Sequence, residues 1–222
     1  MMDIMEAMTQ RHSVRRYKEI PIEPEKIKQI QDAIDEINAE TGLNIQLVTN
    51  EPDAFTGAMA SYGHFSGCSN YIAICSKNGR SEEIGYYGEE LVLLCQMLGL
   101  NTCWVALTFS KSRTKFTCNK GEKLQIVISV GYGVHEGRPH KNKPLEELCQ
   151  VKGEMPDWFR RGMDAVLLAP TAMNQQKFRF ILTENNKVKA KALFGPYAKM
   201  DLGIAKYHFE LGAGGYEFEW EE

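Results

Sequence analysis

Leu124-Gln125-Ile126-Val127-Ile128-Ser129-Val130-Gly131-Tyr132-Gly133-Val134-His135-Glu136-Gly137-Arg138-Pro139-His140-Lys141-Asn142-Lys143-Pro144 is the stretch on which the choice of fold turns. Its first part, LQIVISV, reads as a buried strand, and a G-x-G-x-x-x-G pattern leaves it at once. Such a pattern opens a dinucleotide-binding βαβ unit only if a helix starts immediately after it. Here Pro139 and the polar run HKNKP follow instead. The glycines therefore read as a tight turn leaving a sheet, and a doubly wound α/β fold loses its main support.

The flanking segments agree. Upstream, Ile4, Met5 and Met8 mark one face of a short helix. Ile27, Ile30, Ile34 and Ile37 mark a longer one, with Pro24 in its first turn and Gly42 as its stop. Residues 43–49 read as a strand, 52–69 as a loop rich in small residues, and Tyr71–Ser76 as a buried strand. Ser81 is the expected N-cap of a central helix running to about Leu98, where LVLLCQML is apolar on nearly every side and Gly99 ends it. Asn101–Leu107 reads as a strand or an extended lead into a loop, and 110–117 as a short helix. Downstream, Pro156–Leu168 is an amphipathic helix ended by Pro170. Phe178–Leu182 and Val188–Ala192 form a hairpin around Glu184-Asn185-Asn186. Asp201–Leu211 is a last helix, and Tyr216–Trp220 a closing strand. Helices and antiparallel strands mixed without a βαβ rhythm define an α+β chain. GYYGEELVLLC (85–95) and DLGIAKYHFEL (201–211) are faintly alike, each with an early Gly in an apolar helix.

The 222 residues, 43% hydrophobic and 25% charged with a net charge of −3, suffice for one large domain or two small ones. That balance leaves no stripe of positive charge for nucleic acid. MMDIMEAMTQ lacks the apolar core of a signal peptide, and no apolar run reaches membrane-spanning length. A cytoplasmic protein with no nucleic-acid or membrane partner is expected. Cys68, Cys75, Cys95, Cys103, Cys118 and Cys149 lie in mostly apolar surroundings without a C-x-x-C pair. They read as buried reduced thiols rather than disulfides or a metal site.

Three polar segments stand out. Arg11-His12-Ser13-Val14-Arg15-Arg16-Tyr17 joins forked guanidinium donors that fit phosphate oxygens to a small hydroxyl and an imidazole. A solvated basic turn is the competing reading. Val14 and Tyr17 read as packing, and Arg16 as solvent-facing. Lys141 and Lys143, at i and i+2 of an extended segment, point the same way and reach for an anion or simply for water. Ala169-Pro170-Thr171-Ala172-Met173-Asn174-Gln175-Gln176 combines small residues with side-chain amides. It suits a flat polar heterocycle, or is a polar connection capped by its own Asn and Gln.

Together these segments resemble the FMN-dependent nitroreductase family. RHSVRRY is similar to its phosphate-binding signature, and APTAMNQQ to its A-P-S-S-x-N-x-Q segment. The strand at 124–130 with GYG and a basic pair resembles its final strand and phosphate-contacting Lys or Arg. LVLLCQMLGLNTCWVAL resembles its long apolar helix and G-L-G-x-x-W stretch. In most members the A-P-S-S-like segment comes early and reaches over from a partner subunit. Its late position here resembles the TM nitroreductase subfamily, with two half-domains in one chain.

The resemblance implies a nitroreductase-like α+β fold, a mainly antiparallel sheet flanked by helices, in two pseudo-repeated half-domains. Residues 1–150 would form the phosphate side and 151–222 would supply APTAMNQQ, in a monomer or a homodimer. It implies FMN as cofactor. Arg11, Lys141 and Lys143 would hold its phosphate, and His12 and Ser13 its ribityl–phosphate end. Arg15 would lie near the N1/O2 edge, and the backbone of Ala106 and Leu107 near N5. Pro170, Thr171, Ala172 and Asn174 would line the ring. The implied activity is ping-pong transfer of electrons from NADH or NADPH, through flavin N5, to a small-molecule acceptor such as a nitroaromatic or quinone. No catalytic acid–base side chain is expected. Leu107 departs from the small residue usual at its position and narrows the substrate space, which keeps open a non-catalytic FMN carrier or sensor.

Overall fold

The isoleucine stripe of the first long helix goes where its spacing sends it. In the computed structural model, which describes residues 2–221, helix α2 (Pro24–Thr41) buries Ile30, Ile34 and Ile37. Pro24 sits in its first turn, where a missing N–H costs nothing, and Gly42 closes it at φ 65°. Before it, α1 (Ile4–Gln10) is capped by Asp3, whose carboxylate accepts from Glu6 N at 2.8 Å.

The chain divides into two compact units: residues up to Arg80 with Leu91–Arg138, and Ser81–Glu90 with the residues from Pro139 onward. The first unit is built on β1 (Asn44–Val48), β2 (Asn70–Ser76), β3 (Asn101–Val105) and β4 (Lys123–Gly131). They form a sheet in the order β1-β2-β4-β3, with every pairing antiparallel. β2 is buried along its whole length, as its unbroken apolar run requires of an inner strand. The stretch between β1 and β2, expected as loop, holds a 3₁₀ turn at Pro52–Phe55 and a short helix α3 (Ala58–Tyr62).

Two expectations fail in this unit. Residues 110–117 make only a single turn at Ser110–Thr114, because tertiary partners take the amides a helix would need. Lys115 N–H goes to the Tyr71 hydroxyl at 2.7 Å and Thr117 N–H to Gln46 Oε1 at 2.8 Å. The reading of six reduced thiols also fails, since Cys75 and Cys118 are joined as a disulfide with Cα atoms 5.7 Å apart. Cys75 pairs in register with Leu124 of β4, so the segment entering β4 brings Cys118 within bonding reach. Cys68, Cys95, Cys103 and Cys149 are free and buried.

Helix α4 (Ser81–Met97) starts with Ser81 inside its first turn; Arg80 precedes it without a side-chain capping bond. In the second unit, α5 (Leu145–Leu148) leads into β5 (Cys149–Gln150), followed by α6 (Asp157–Val166), β6 (Phe178–Leu182), β7 (Lys187–Ala192), α7 (Ala198–Ala213) and β8 (Glu219–Glu221). The sheet runs β5-β6-β7-β8. The β6/β7 hairpin is antiparallel and both outer pairings are parallel. Its core is aromatic: Phe180 stacks on Phe209 at 5.3 Å, and Trp158 on Tyr216 at 4.6 Å.

The likeness of 85–95 to 201–211 now has a cause. A Cβ on Gly203 would fall 1.8 Å from Glu82 O, and one on Gly85 2.0 Å from Met200 O. The first turns of α4 and α7 therefore meet backbone to backbone, and each helix needs its early glycine. No helix among the described residues is long and apolar enough to cross a membrane.

Candidate functional site

In the first unit, residues 11–17 leave α1 as an extended strip. Arg11 ends the helix, its N–H bonded to Ala7 O at 2.8 Å. Ser13 then bridges Thr102, Arg16 bridges Ser66 and Tyr17 bridges Gly133. The strip thus lies along the ends of β3 and β4. Val14 and Tyr17 turn into the core, while Ser13, Arg15 and Arg16 are exposed. Tyr17 donates to Val14 O and shares a bond with Ser129 Oγ, both at 2.7 Å.

The glycines after β4 serve this strip rather than a dinucleotide. A Cβ on Gly137 would fall 2.6 Å from His12 Cβ, and one on Gly133 2.6 Å from Asn101 Oδ1. Asn101 accepts the Gly133 N–H at 2.8 Å and donates to Glu136 at 2.8 Å. Arg11 is 3% exposed and His12 half-buried. Burial, and then the Arg11 charge, hold the His12 imidazole below its ordinary value, so it is neutral at pH 7. Arg15 donates to Gly63 O at 3.3 Å and lies 5.7 Å from the Phe65 ring centroid. Gly63 in turn abuts Thr108, where an added Cβ would meet Thr108 Cβ at 2.5 Å. Arg15 is therefore held beside the chain leaving β3, where Ala106 is half-buried and Leu107 is 66% exposed.

In the second unit the structure brings Lys141 and Lys143 together with Pro170, Thr171, Ala172 and Asn174. Pro170 is buried at the end of α6, and Ala172–Asn174 make a 3₁₀ turn. Met173, Asn174 and Gln176 have φ of 54°, 52° and 45°. For Met and Gln this left-handed backbone costs roughly 1–2 kcal/mol each, so other bonds must hold it. Buried Gln176 supplies some of them. Its Oε1 accepts from Lys143 N at 3.0 Å, and its Nε2 donates to Lys141 O and Asn174 Oδ1, both at 2.9 Å. Asn174 Nδ2 donates to Lys141 O at 2.8 Å. The Lys143 ammonium is turned onto Gln176 O at 3.4 Å, while Lys141 is exposed.

Asp201 supplies the rest. It is 3% exposed in the first turn of α7. Its Oδ1 accepts from Ala172 N and its Oδ2 from Gln175 Nε2, both at 2.9 Å. Burial pushes its carboxyl up to about 6 in spite of these two bonds. Sequence reasoning passed over Asp201, and it read Gln175 and Gln176 only as part of the amide-rich segment 169–176. An acid in a helix's first turn reads as a partner of the helix dipole, and the only available signal was two adjacent glutamines after a run of small residues. Among the described residues, no group of three or more His, Cys, Asp or Glu side chains is placed to hold a metal ion.

Residues 3–213 match the family model described as "Putative TM nitroreductase". No curated protein matches the chain. Among solved structures, the fold is similar to that of a putative nitroreductase from Thermotoga maritima MSB8, with a TM-score of 0.67 and 22% identity, covering 95% of this chain and 83% of that one. It is similar to a putative nitroreductase from Desulfovibrio desulfuricans solved in complex with FMN, with a TM-score of 0.50 and 19% identity, covering 69% of this chain and 96% of that one. It is also similar to a putative NADH dehydrogenase/NAD(P)H nitroreductase from Parabacteroides distasonis ATCC 8503, with a TM-score of 0.50 and 21% identity over 65% of this chain and 95% of that one. The family match runs through both the strip at 11–17 and the strained loop at 170–176, and the chain belongs to the putative TM nitroreductase family.

Proposed function

We propose that the protein is an FMN-dependent oxidoreductase that takes electrons from NADH or NADPH and passes them, in ping-pong fashion, to a small electron-poor acceptor of the nitroaromatic or quinone type. The observation that carries this reading is the loop at 170–176. It keeps a strained backbone with small residues at Pro170, Thr171 and Ala172, and it is tied to Lys141 and Lys143 by the side-chain bonds of buried Gln176. Strain maintained by surrounding structure is common at ligand sites.

The donor set suits FMN. The guanidinium of Arg11, the Ser13 hydroxyl and the neutral His12 imidazole match a phosphate monoester and its ribityl neighbour. The exposed Lys141, with Lys143, would add charge at the same end. Pro170, Thr171, Ala172 and Asn174 would line the ring, their small side chains and backbone groups leaving room for a planar face. On this reading residues 1–150 supply the phosphate side and 151–222 the ring side. Bound FMN would supply the hydride-accepting N5 and the two-electron chemistry. Arg15 would set a fixed cation near the N1/O2 edge, where negative charge gathers on reduction. The backbone N–H groups of Ala106 and Leu107 would face N5.

A carrier or sensor is the second reading. Leu107, 66% exposed on the chain leaving β3, favours it by placing an apolar side chain where an acceptor would need room. Anaerobic mixing of FMN-loaded protein with NADH or NADPH separates the two. Bleaching of the oxidised flavin band by either nucleotide is the expected result. A band that persists with both would leave the carrier reading in place of the enzyme.

A further inference from the structure

We infer that Asp201 is a positioning residue of the cofactor site, its carboxylate fixing the 170–176 loop through the Ala172 N–H and the Gln175 side chain. This rests on the FMN reading above and names a group that reading does not use.

The geometry favours an ionised acid. Both carboxylate oxygens face donors, Ala172 N–H on one side and the Gln175 amide on the other, at 2.9 Å each. The same Gln175 Nε2 donates to Pro196 O at 2.5 Å, which fixes the amide's orientation: turned over, its oxygen would face a carbonyl. Gly195 packs on the opposite atom of that amide, where an added Cβ would lie 2.7 Å from Gln175 Oε1. An ionised carboxylate satisfies both contacts with charge-assisted bonds. Protonation weakens the bond at the oxygen that takes the proton, and Asn must present a donor to one of the two contacts. An acid kept ionised while 3% exposed is expensive to bury. Here it stands directly behind the residues assigned to the ring.

The charged and titratable groups on the surrounding elements include Lys199 and Lys206 on α7, with Tyr207, His208 and Glu210 further along it; Glu82 of α4 (paired with Lys206 at 2.9 Å), with Glu83, Tyr86, Tyr87, Glu89 and Glu90 after it; Tyr197; Lys177 beside Gly195; and Lys141 and Lys143 across Gln176. Burial, rather than any of these, sets the direction in which Asp201 titrates.

The test uses the full chain, FMN as probe and fluorescence-quenching titrations from pH 5 to pH 8 on wild type and Asp201→Asn. The phosphate of FMN titrates in the same range, but equally in both proteins, so the ratio of the two dissociation constants isolates Asp201. The expected ratio is about tenfold at pH 8, the scale of one charge-assisted hydrogen bond, and falls towards unity by pH 5 as the wild-type acid protonates. Gln175→Met, which removes the partner and keeps the acid, is expected to show the same trend and serves if the first variant does not fold. A ratio near unity throughout, or one that does not change with pH, would overturn the role and leave the functional reading intact. Wild type that binds no FMN at any pH would overturn both.

Discussion

Replacing His208 by Ala will cost the folded state about 3–5 kcal/mol, the usual scale for breaking a buried ion pair from one side. His208 and Glu89 are both 0% exposed, with Nε2 to Oε1 at 3.0 Å. The other ring nitrogen, Nδ1, lies 3.1 Å from Ala165 O. A carbonyl only accepts, so Nδ1 carries a proton and donates, and the contact with Glu89 then needs one further shared proton. Whichever partner holds it, the pair is neutral as a unit. The imidazole also ties together α4, α6 and α7 of the second unit. Its removal opens a void and leaves Glu89 in an apolar interior without that partner. The Glu89→Gln variant keeps a polar group opposite Nε2 and should lose much less. Denaturant midpoints measure both changes. A loss below about 1 kcal/mol for His208→Ala would mean that the helices are held by the aromatic core alone.

Arg11→Ala will weaken FMN binding by about 1.5–3 kcal/mol, tenfold or more in the dissociation constant. Three features lead to this. The guanidinium is permanently charged, the residue is 3% exposed, and its backbone is fixed where α1 passes into the strip along β3. A cation already desolvated by the protein gains more from a phosphate than a surface lysine does. Because the residue is buried, the denaturant midpoint must be measured beside the affinity. Folded variant protein with unchanged affinity would move the phosphate away from this end of the strip.

Much of the architecture was legible because single segments decide it. The isoleucine spacing of α2, the apolar run of β2, and the proline after β4 each allow one reading, and the elements follow. The parts that were not legible depend on partners distant in sequence. The amides of Lys115 and Thr117 are taken by Tyr71 and Gln46, so the expected helix at 110–117 does not form. The Cys75–Cys118 disulfide follows from the register of β2 on β4, which no spacing along the chain reveals. In the candidate site, the polar segments stand out in sequence by their donors, whereas the distant side chain that holds one of them, Asp201, does not. The Gly131–Gly137 pattern, which reads as a tight turn leaving a sheet, packs against His12, Tyr17 and Asn101. Asp201 reads from the sequence only as the first residue of the last helix, yet its carboxylate accepts from Ala172 N and Gln175 Nε2 of the strained loop.

The most direct test is cofactor binding itself. Protein freed of flavin and titrated with FMN should quench its fluorescence with one FMN per chain, take on flavin absorbance after desalting, and melt at a higher temperature than the apoprotein. Protein that stays colourless after desalting, with an unchanged melting temperature, would contradict the account at its centre.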